Sequence, residues 1–355
     1  MKLTAYKNIS YVMVAVIMTT TLASCRKDLC YNHFRNAAVS LSWEQEWERD
    51  FGEGLASNWI AEEYGGLSYD ELRPEVPEWV HLIKYGSDGS RSESFLEPGG
   101  GNVILDGEEE GEFLLYNGDT EYLVVSDIAS LATARATATT RTRSSLAYIS
   151  EKYPGIRSTN PPDILYSSYV SHLPEVKLHE SKEVPVNMQP LVFTYVIRYE
   201  FKKGIEHIVL ARGALAGMAE SVYLLDGRTS DESAIILYDC EVTDYGCEAI
   251  VTSFGIPGFT NEYYGRHAED PDAGESPYTL NLEVLLKNGE TTEFNIDISD
   301  QIRRQPRGGV IKVTGLEIED DKEWVDSGFY PEILDWKEQD VIEINLEVSV
   351  PKDDQ

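Results

Sequence analysis

Short alternations of apolar and polar residues dominate the chain, and long helical periodicity is nearly absent. The strictest alternation runs from Ile342 to Val350, where every second residue is apolar. A second clear case is the pair of segments Thr279–Leu286 and Thr291–Ile298, which are joined by Lys287-Asn288-Gly289-Glu290. A period of two places apolar side chains on one face of a strand, and a short Asn-Gly turn joins antiparallel neighbours. The pattern therefore predicts an all-β protein.

Further strands are predicted wherever such runs are bounded by Gly, Pro, Asn or Asp. They cover 39–43, 80–85, 92–96, 102–105, 112–116 and 122–125 in the first half, and 191–201, 205–210, 234–239, 248–254 and 310–314 in the second. The dipeptide Asn117-Gly118 lies between two of these runs. It favours a tight hairpin turn, because both residues accept a positive φ.

One segment in the second half has helical spacing instead. Ala214, Leu215, Met218 and Val222 fall on one face of a helix with 3.6 residues per turn. This spacing predicts a short helix from about Ala214 to Val222, weakened by Gly217.

A segment of different composition follows the first group of strands. Residues 129–145 consist mostly of Ala, Thr, Arg and Ser, and Arg135, Arg141 and Arg143 stand out in an acidic chain. The segment is interpreted either as a protease-accessible or partner-binding loop, or as a mobile surface loop whose charges are solvated.

The chain is long enough for two domains. It has 355 residues, and prolines become frequent between Tyr153 and Pro190. The length and the proline-rich passage predict a first β-sandwich domain at 25–183 and a second at 184–355, with the short helix in the second. Residues 1–24 are predicted to be a signal segment, for the reasons given next.

The N-terminus carries a lipoprotein signal. Lys2 and Lys7 precede an apolar run from Tyr11 to Met18, and the small-residue sequence Leu22-Ala23-Ser24 then leads to Cys25. This run is too short to stay in the membrane as a span, and the Leu-Ala-Ser-Cys close predicts cleavage before a diacylated cysteine. Acyl chains hold a protein firmly on a bilayer. We therefore expect a lipid-anchored protein with palmitate-type acylation at Cys25, on the outer membrane and facing outward.

Three of the four cysteines remain after lipidation, so a complete disulfide framework is not expected. Cys240 and Cys247 are close enough in sequence to close a short loop in an oxidising compartment. The alternative is that each is a buried apolar residue. Cys30 has no assignment.

Composition excludes several function classes. A formal net charge of -32 repels nucleic acid and anionic lipid headgroups. The sequence lacks His-Glu-x-x-His, Gly-x-Ser-x-Gly, Cys-x-x-Cys and a phosphate-binding glycine loop, and its six histidines are scattered. We therefore predict a protein without enzymatic activity, cofactor or metal site. Trp324 and Trp336 lie among polar residues and could stack on the rings of a glycan.

Several stretches resemble one family. These are Cys25-Arg26-Lys27-Asp28-Leu29-Cys30-Tyr31-Asn32-His33, residues 116–122 (Tyr-Asn-Gly-Asp-Thr-Glu-Tyr), residues 217–223 (Gly-Met-Ala-Glu-Ser-Val-Tyr) and residues 252–258 (Thr-Ser-Phe-Gly-Ile-Pro-Gly). They are similar to the fimbrillin-like surface lipoproteins of Bacteroides, whose layout matches the anchor subunits of Bacteroidales fimbriae. The resemblance implies two tandem transthyretin-like β-sandwiches behind a lipidated cysteine.

The same resemblance implies a role and a class of partner. It suggests an anchor or accessory subunit of a fimbria-like adhesive structure, which binds fimbrillin-like subunits by β-strand addition. The position of Arg135, Arg141 and Arg143 inside the first domain, rather than ahead of it, favours an anchor over a polymerising subunit. The alternative is a surface glycan-binding lipoprotein of a polysaccharide-uptake system.

Overall fold

The protein is built almost entirely from β-strands. The computed structural model describes residues 35–46, 58–64, 66–68, 75–105, 111–142, 153–172, 181–261 and 278–318. The strands of the first half are β1 (Arg35–Trp43), β2 (Val80–Gly86), β3 (Arg91–Leu96), β4 (Gly100–Leu105), β5 (Gly111–Asn117), β6 (Leu123–Ser126), β7 (Arg135–Ala138), β8 (Arg157–Thr159), β9 (Tyr166–Val170) and β10 (Ser181–Pro190).

The second half continues the all-β pattern. Its elements are β11 (Phe193–Lys203), β12 (Ile208–Ala219), β13 (Ser221–Tyr223), β14 (Ser233–Val242), β15 (Gly246–Ser253), β16 (Thr279–Leu286), β17 (Thr291–Asp297), the helix α1 (Ser299–Arg304) and β18 (Gly309–Glu317). Short 3₁₀ turns occupy Ala61–Tyr64 and Ile205–His207. The all-β prediction is confirmed, and the one described α-helix, α1, lies in the second half at a different position from the predicted helix.

The strands form two large sheets and one small one. The first large sheet has the order β3-β2-β5-β9-β10-β1-β4, and the second has the order β17-β16-β12-β14-β15-β11-β18 with β8 beside β14. Most neighbours are antiparallel, but β1 with β10, β11 with β18 and β8 with β14 are parallel. The three-stranded sheet has the order β13-β7-β6 and takes strands from both halves.

Each large sheet curls around its own core. In the first, apolar residues of β1, β4 and β10 pack against residues of β2, β3, β5 and β9. Strand β10 shows why, since its burial alternates strictly and turns Val184, Val186 and Met188 inward. The second core is larger and includes Tyr195, Tyr199, Leu282 and Ile311. The predicted pair of sandwiches is therefore present.

The chain passes from one sheet to the other between β10 and β11. Strand β10 pairs with β1 and β9 in the first sheet, and β11 pairs with β15 and β18 in the second. The domain limits predicted around Glu183 fall inside β10 and stay a prediction. The signal segment and the strand predicted at 342–350 lie outside the described residues.

The predicted hairpin in the second half is confirmed in position. Leu280 lies opposite Ile296, Leu282 opposite Phe294 and Val284 opposite Thr292. Strand β16 is buried along its whole length, whereas β17 alternates between half-buried and exposed positions.

The helix predicted from Ala214 to Val222 is wrong. Residues 214–219 form the second half of β12, which pairs with β14 on one side and β16 on the other, and Val222 lies in β13. Both faces of this part of β12 are buried, so its sequence has no polar face and the period of two is lost. Gly217 has a φ of 93° and marks the bulge where the register with β14 shifts.

The hairpin turn predicted at Asn117-Gly118 is also wrong. Strand β5 pairs with β2 and β9 and not with β6, whose partner is β7. The Asn117 side chain is buried and holds the start of β9. Its Nδ2 donates to the Ile164 carbonyl at 3.0 Å, and its Oδ1 accepts from the Tyr166 N–H at 2.7 Å.

Candidate interaction sites

The arginine-rich segment is ordered and joins the two halves. Residues Arg135–Ala138 form β7, and Ala134, Ala136 and Ala138 are buried in a core that also contains Val222 and Phe254. Small side chains at alternate positions let this strand lie close to the elements that cover it. The interpretation of this segment as a loop is therefore wrong for Arg135–Ala138, whereas residues 129–133 do form turns.

Two of the three arginines make defined ion pairs. Arg141 donates from Nη1 to the Leu237 carbonyl at 2.9 Å and from Nη2 to Asp239 Oδ2 at 3.0 Å. Its side chain is only 11% exposed, so its charge is not simply solvated. Arg135 pairs with Asp127 at 3.0 Å. Arg141 thus fastens the segment after β7 to β14 of the second sheet, while Arg143 lies outside the described residues.

Main-chain pairing reinforces this joint. Strand β7 pairs with β13, and β8 pairs with β14. Ser167 donates to the Leu224 carbonyl at 2.8 Å, and Thr252 donates to the Pro162 carbonyl at 2.6 Å. These bonds supplement an apolar core shared by both halves.

An open cavity of about 500 Å³ lies at the same joint, lined among others by Tyr122, Arg141, Asp163 and Asp239. Its charged groups already have structural partners. Asp163 accepts the Glu121 N–H at 2.7 Å, and Arg141 pairs with Asp239. The cavity is consequently part of the joint between the sheets.

Sheet edges offer backbone groups to a partner. Within the described residues, β17 pairs with β16 alone and β3 with β2 alone. The inward-facing side chains of β17, including Phe294 and Ile296, are half-buried and pack against the second core. Phe294 meets Phe201 edge-to-face at 5.5 Å. An extended segment added beside β17 could hydrogen-bond to the main chain of β17 and pack its alternate side chains against the apolar side chains of that strand.

An aromatic cluster lies on the first sheet, at strands β2 and β3. Phe95 of β3 stacks on His81 of β2 with ring centroids 4.9 Å apart and planes 16° apart. Trp79 meets Phe95 edge-to-face at 5.3 Å, and His81 lies 5.1 Å from the ring of Tyr116. This cluster was not identified from the sequence, because it depends on the register that sets His81 opposite both Phe95 and Tyr116.

The predicted cysteine and tryptophan sites have different outcomes. Neither Cys240 nor Cys247 is in a disulfide, and Cys247 is buried within the second core. Burial raises the pKa of the Cys247 thiol to about 12. Cys25, Trp324 and Trp336 lie outside the described residues, and their predicted roles stay predictions.

Membrane-spanning helices and metal-binding clusters are both absent from the described residues. No helix there is long and apolar enough to cross a bilayer. No group of three or more His, Cys, Asp or Glu side chains in the same residues is arranged to hold a metal ion.

The sequence and fold are similar to those of known proteins. Residues 68–239 match the family described as a domain of unknown function, DUF5119. A Bacteroides ovatus protein described as a candidate fimbrium anchoring subunit, Fim4B, is 26% identical over 249 residues, which cover 66% of this chain and 70% of that protein. The resemblance to fimbrial anchor subunits is thereby confirmed.

A solved structure shares the fold. It is a candidate adhesin from Bacteroides ovatus, with a TM-score of 0.55 and 17% identity, covering 84% of this chain and 97% of that one. The match extends over both large sheets, so the arrangement of two sandwiches is a known fold.

Proposed function

We propose that this chain is a structural subunit of a fimbria-like adhesive appendage, with an anchor or accessory role. The observation that carries the proposal is the match of 249 residues to a candidate fimbrium anchoring subunit. The absence of recognisable catalytic motifs in the sequence is compatible with a structural protein. In this proposal the acylated Cys25 holds the protein on the outer membrane, and the two sandwiches face outward.

The joint between the halves suits such a role. An anchor passes load from an appendage to the membrane, and a flexible hinge would let its halves move independently. Here the small sheet, the shared core and the Arg141–Asp239 pair connect the two large sheets. A buried apolar contact of this kind opposes relative motion of the two halves.

The partner is proposed to join by β-strand addition at β17. Donated main-chain hydrogen bonds would extend the second sheet, and alternate apolar side chains of the donor would pack beside Phe294 and Ile296. The expected partner is a fimbrillin-like subunit that presents an extended segment.

A matched pair of variants on β17 tests this contact. Thr292 faces the core side of the strand, and Glu293 faces solvent. Thr292→Lys should place a charge beside the donor's apolar side chains and reduce recovery of fimbrillin-like proteins in membrane pull-downs by about tenfold or more. Glu293→Lys should leave recovery unchanged. Equal recovery with both variants would reject β17 as the contact, and recovery of no fimbrillin-like protein by the unmodified chain would reject the role.

The anchor is tested separately. Cys25→Ser should abolish incorporation of radiolabelled palmitate and release the protein from the membrane fraction. A palmitate-free unmodified protein, or a mature N-terminus other than an acylated Cys25, would refute the anchor.

A further inference from the structure

Phe95 is exposed in a way that needs an explanation. It is 65% exposed, which is more than any other large apolar side chain among the described residues. It also lies on β3, an edge strand of the first sheet, where exposed aromatic groups favour unwanted association. The nearby positions Ser92, Glu93 and Glu97 are polar, so Phe95 is not part of a broad apolar face.

Contacts with His81 and Trp79 hold the Phe95 ring in one orientation. One of its faces stacks on His81, and the edge of Trp79 lies against it. His81 is fixed in turn, with Nδ1 2.6 Å from the Tyr116 hydroxyl and Nε2 3.1 Å from Glu93 Oε2. Burial, with a further contribution from the charge of Glu93, raises the pKa of Tyr116 to about 12, so its hydroxyl keeps its proton.

Trp79 is fixed by a close approach to the backbone. A Cβ atom on Gly118 would lie 2.0 Å from Trp79 Cη2, so the indole occupies the space that any side chain at position 118 would need. The aromatic platform, defined as Trp79, His81 and Phe95, is therefore preorganised. A ligand that stacks on it does not have to pay for ordering these side chains.

Polar groups lie along one side of the platform. Arg91 and Glu93 alternate with Ser92 and Ser94, so they share the face of β3 that carries Phe95. Arg91 Nη2 and Glu93 Oε1 are 3.1 Å apart, and both side chains are partly exposed. A carboxylate offers about four acceptor positions, and the contacts to Arg91 and His81 use two of them. Glu93 can still accept hydrogen bonds from hydroxyl groups.

A flat aromatic face with a carboxylate and a guanidinium at its rim fits a sugar ring. A pyranose has an apolar C–H face that stacks on an aromatic ring and a rim of hydroxyls that both donate and accept. A protein partner would need about 800 Å² on each side, whereas one aromatic side chain supplies at most ~250 Å². The net charge of -32 disfavours nucleic acids and anionic polysaccharides.

We propose that the aromatic platform is a binding site for a neutral saccharide, with Phe95 as the stacking surface and Glu93 and Arg91 as hydrogen-bonding partners of its hydroxyls. The site is separate from the predicted glycan-stacking pair Trp324 and Trp336. It does not depend on the anchor role, because strand addition at β17 involves the second sheet.

Affinity electrophoresis of the full chain tests the site. The probes are dextran, glycogen, laminarin, xylan and yeast mannan, each cast in a native gel. At least one should retard the protein, and Phe95→Ala should weaken that retention by about tenfold or more. Phe95→Tyr, which keeps the ring, should restore it. The matched control is Ile250→Ala, since Ile250 is also strongly exposed but lies on β15 of the second sheet.

Three results would overturn the proposal. They are retention by none of the five polysaccharides, retention that Phe95→Ala leaves unchanged, and an equal loss in the Ile250→Ala control. A Phe95→Ala protein that loses fimbrillin-like partners but keeps its saccharide retention would assign the ring to a protein contact instead. Because Phe95 is largely exposed, thermal unfolding of Phe95→Ala should match that of the unmodified protein, which separates lost binding from misfolding.

Discussion

Replacement of Asn117 tests whether this residue forms a turn or is a buried residue whose side-chain hydrogen bonds connect β5 to the start of β9. Its side chain is 2% exposed and makes three hydrogen bonds: to the Ile164 carbonyl, from the Tyr166 N–H and to Asp119 Oδ1 at 3.0 Å. Asn117→Ala removes the acceptor of the Tyr166 N–H and the donor to Ile164. Loss of one partner from a buried polar group costs about 1–3 kcal/mol. We expect Asn117→Ala to lower the free energy of unfolding by about 3 kcal/mol.

Asn288 is the matched control, because it lies in a true hairpin turn. Its Oδ1 accepts the Glu290 N–H at 2.9 Å at an exposed position between β16 and β17. Water can replace this bond, so Asn288→Ala should cost less than about 1 kcal/mol.

Urea unfolding of both variants, followed by tryptophan fluorescence, measures the difference. Hydrogen exchange should also show faster exchange of the Tyr166 amide in Asn117→Ala and no change there in Asn288→Ala. A decrease in the free energy of unfolding of less than about 1 kcal/mol for Asn117→Ala, or equal decreases in the two variants, would refute the conclusion that the buried hydrogen bonds of Asn117 stabilise the fold.

Three further outcomes are expected. Arg141→Ala should lower the free energy of unfolding by about 2 kcal/mol, because a buried hydrogen bond to a main-chain carbonyl is lost. Asp239→Asn should lower it by less than about 1 kcal/mol, because that carboxylate is 72% exposed. Equal decreases for the two variants in urea unfolding would contradict this difference. Gly118→Ala should displace Trp79 and weaken saccharide retention without unfolding the protein, and retention equal to that of the unmodified chain would show that Trp79 does not support the platform. Cys247 should react slowly with Ellman's reagent at pH 8 in the native protein and rapidly in denaturant. Its raised pKa means that its contribution to stability is complete below about pH 9 and is lost as the pH rises through about 12. A free energy of unfolding that increases over this pH interval would contradict the sign.

Strands with one exposed face could be predicted from the sequence. The alternation of β17 and the Asn-Gly turn before it are local features, and the position of the β16–β17 hairpin was predicted correctly. Strand β12 could not be recognised in the same way. It lies between β14 and β16 with both faces covered, so small apolar residues follow one another and their spacing also fits a helix.

The other errors arose where distant residues decide the structure. Asn117-Gly118 has the local chemistry of a turn, but Ile164 and Tyr166 supply the partners that keep Asn117 buried. The arginine-rich segment did contain a usable signal, since Ala134, Ala136 and Ala138 alternate with polar residues at a period of two. Alanine is a weak indicator of a strand, so this alternation did not lead to a strand prediction. The small size of the alanines is nevertheless what allows close packing in the joint.

The small sheet formed by β6, β7 and β13 has a consequence for how this architecture can diversify. Each half supplies a piece that the other needs, so a gene rearrangement that exchanged one half alone would leave mismatched alanine and valine surfaces. Such a protein can accept single substitutions at the edge strands β3 and β17, but its two halves must evolve together. New binding specificities in proteins of this architecture are therefore expected to arise by substitutions at sheet edges and not by exchange of single halves.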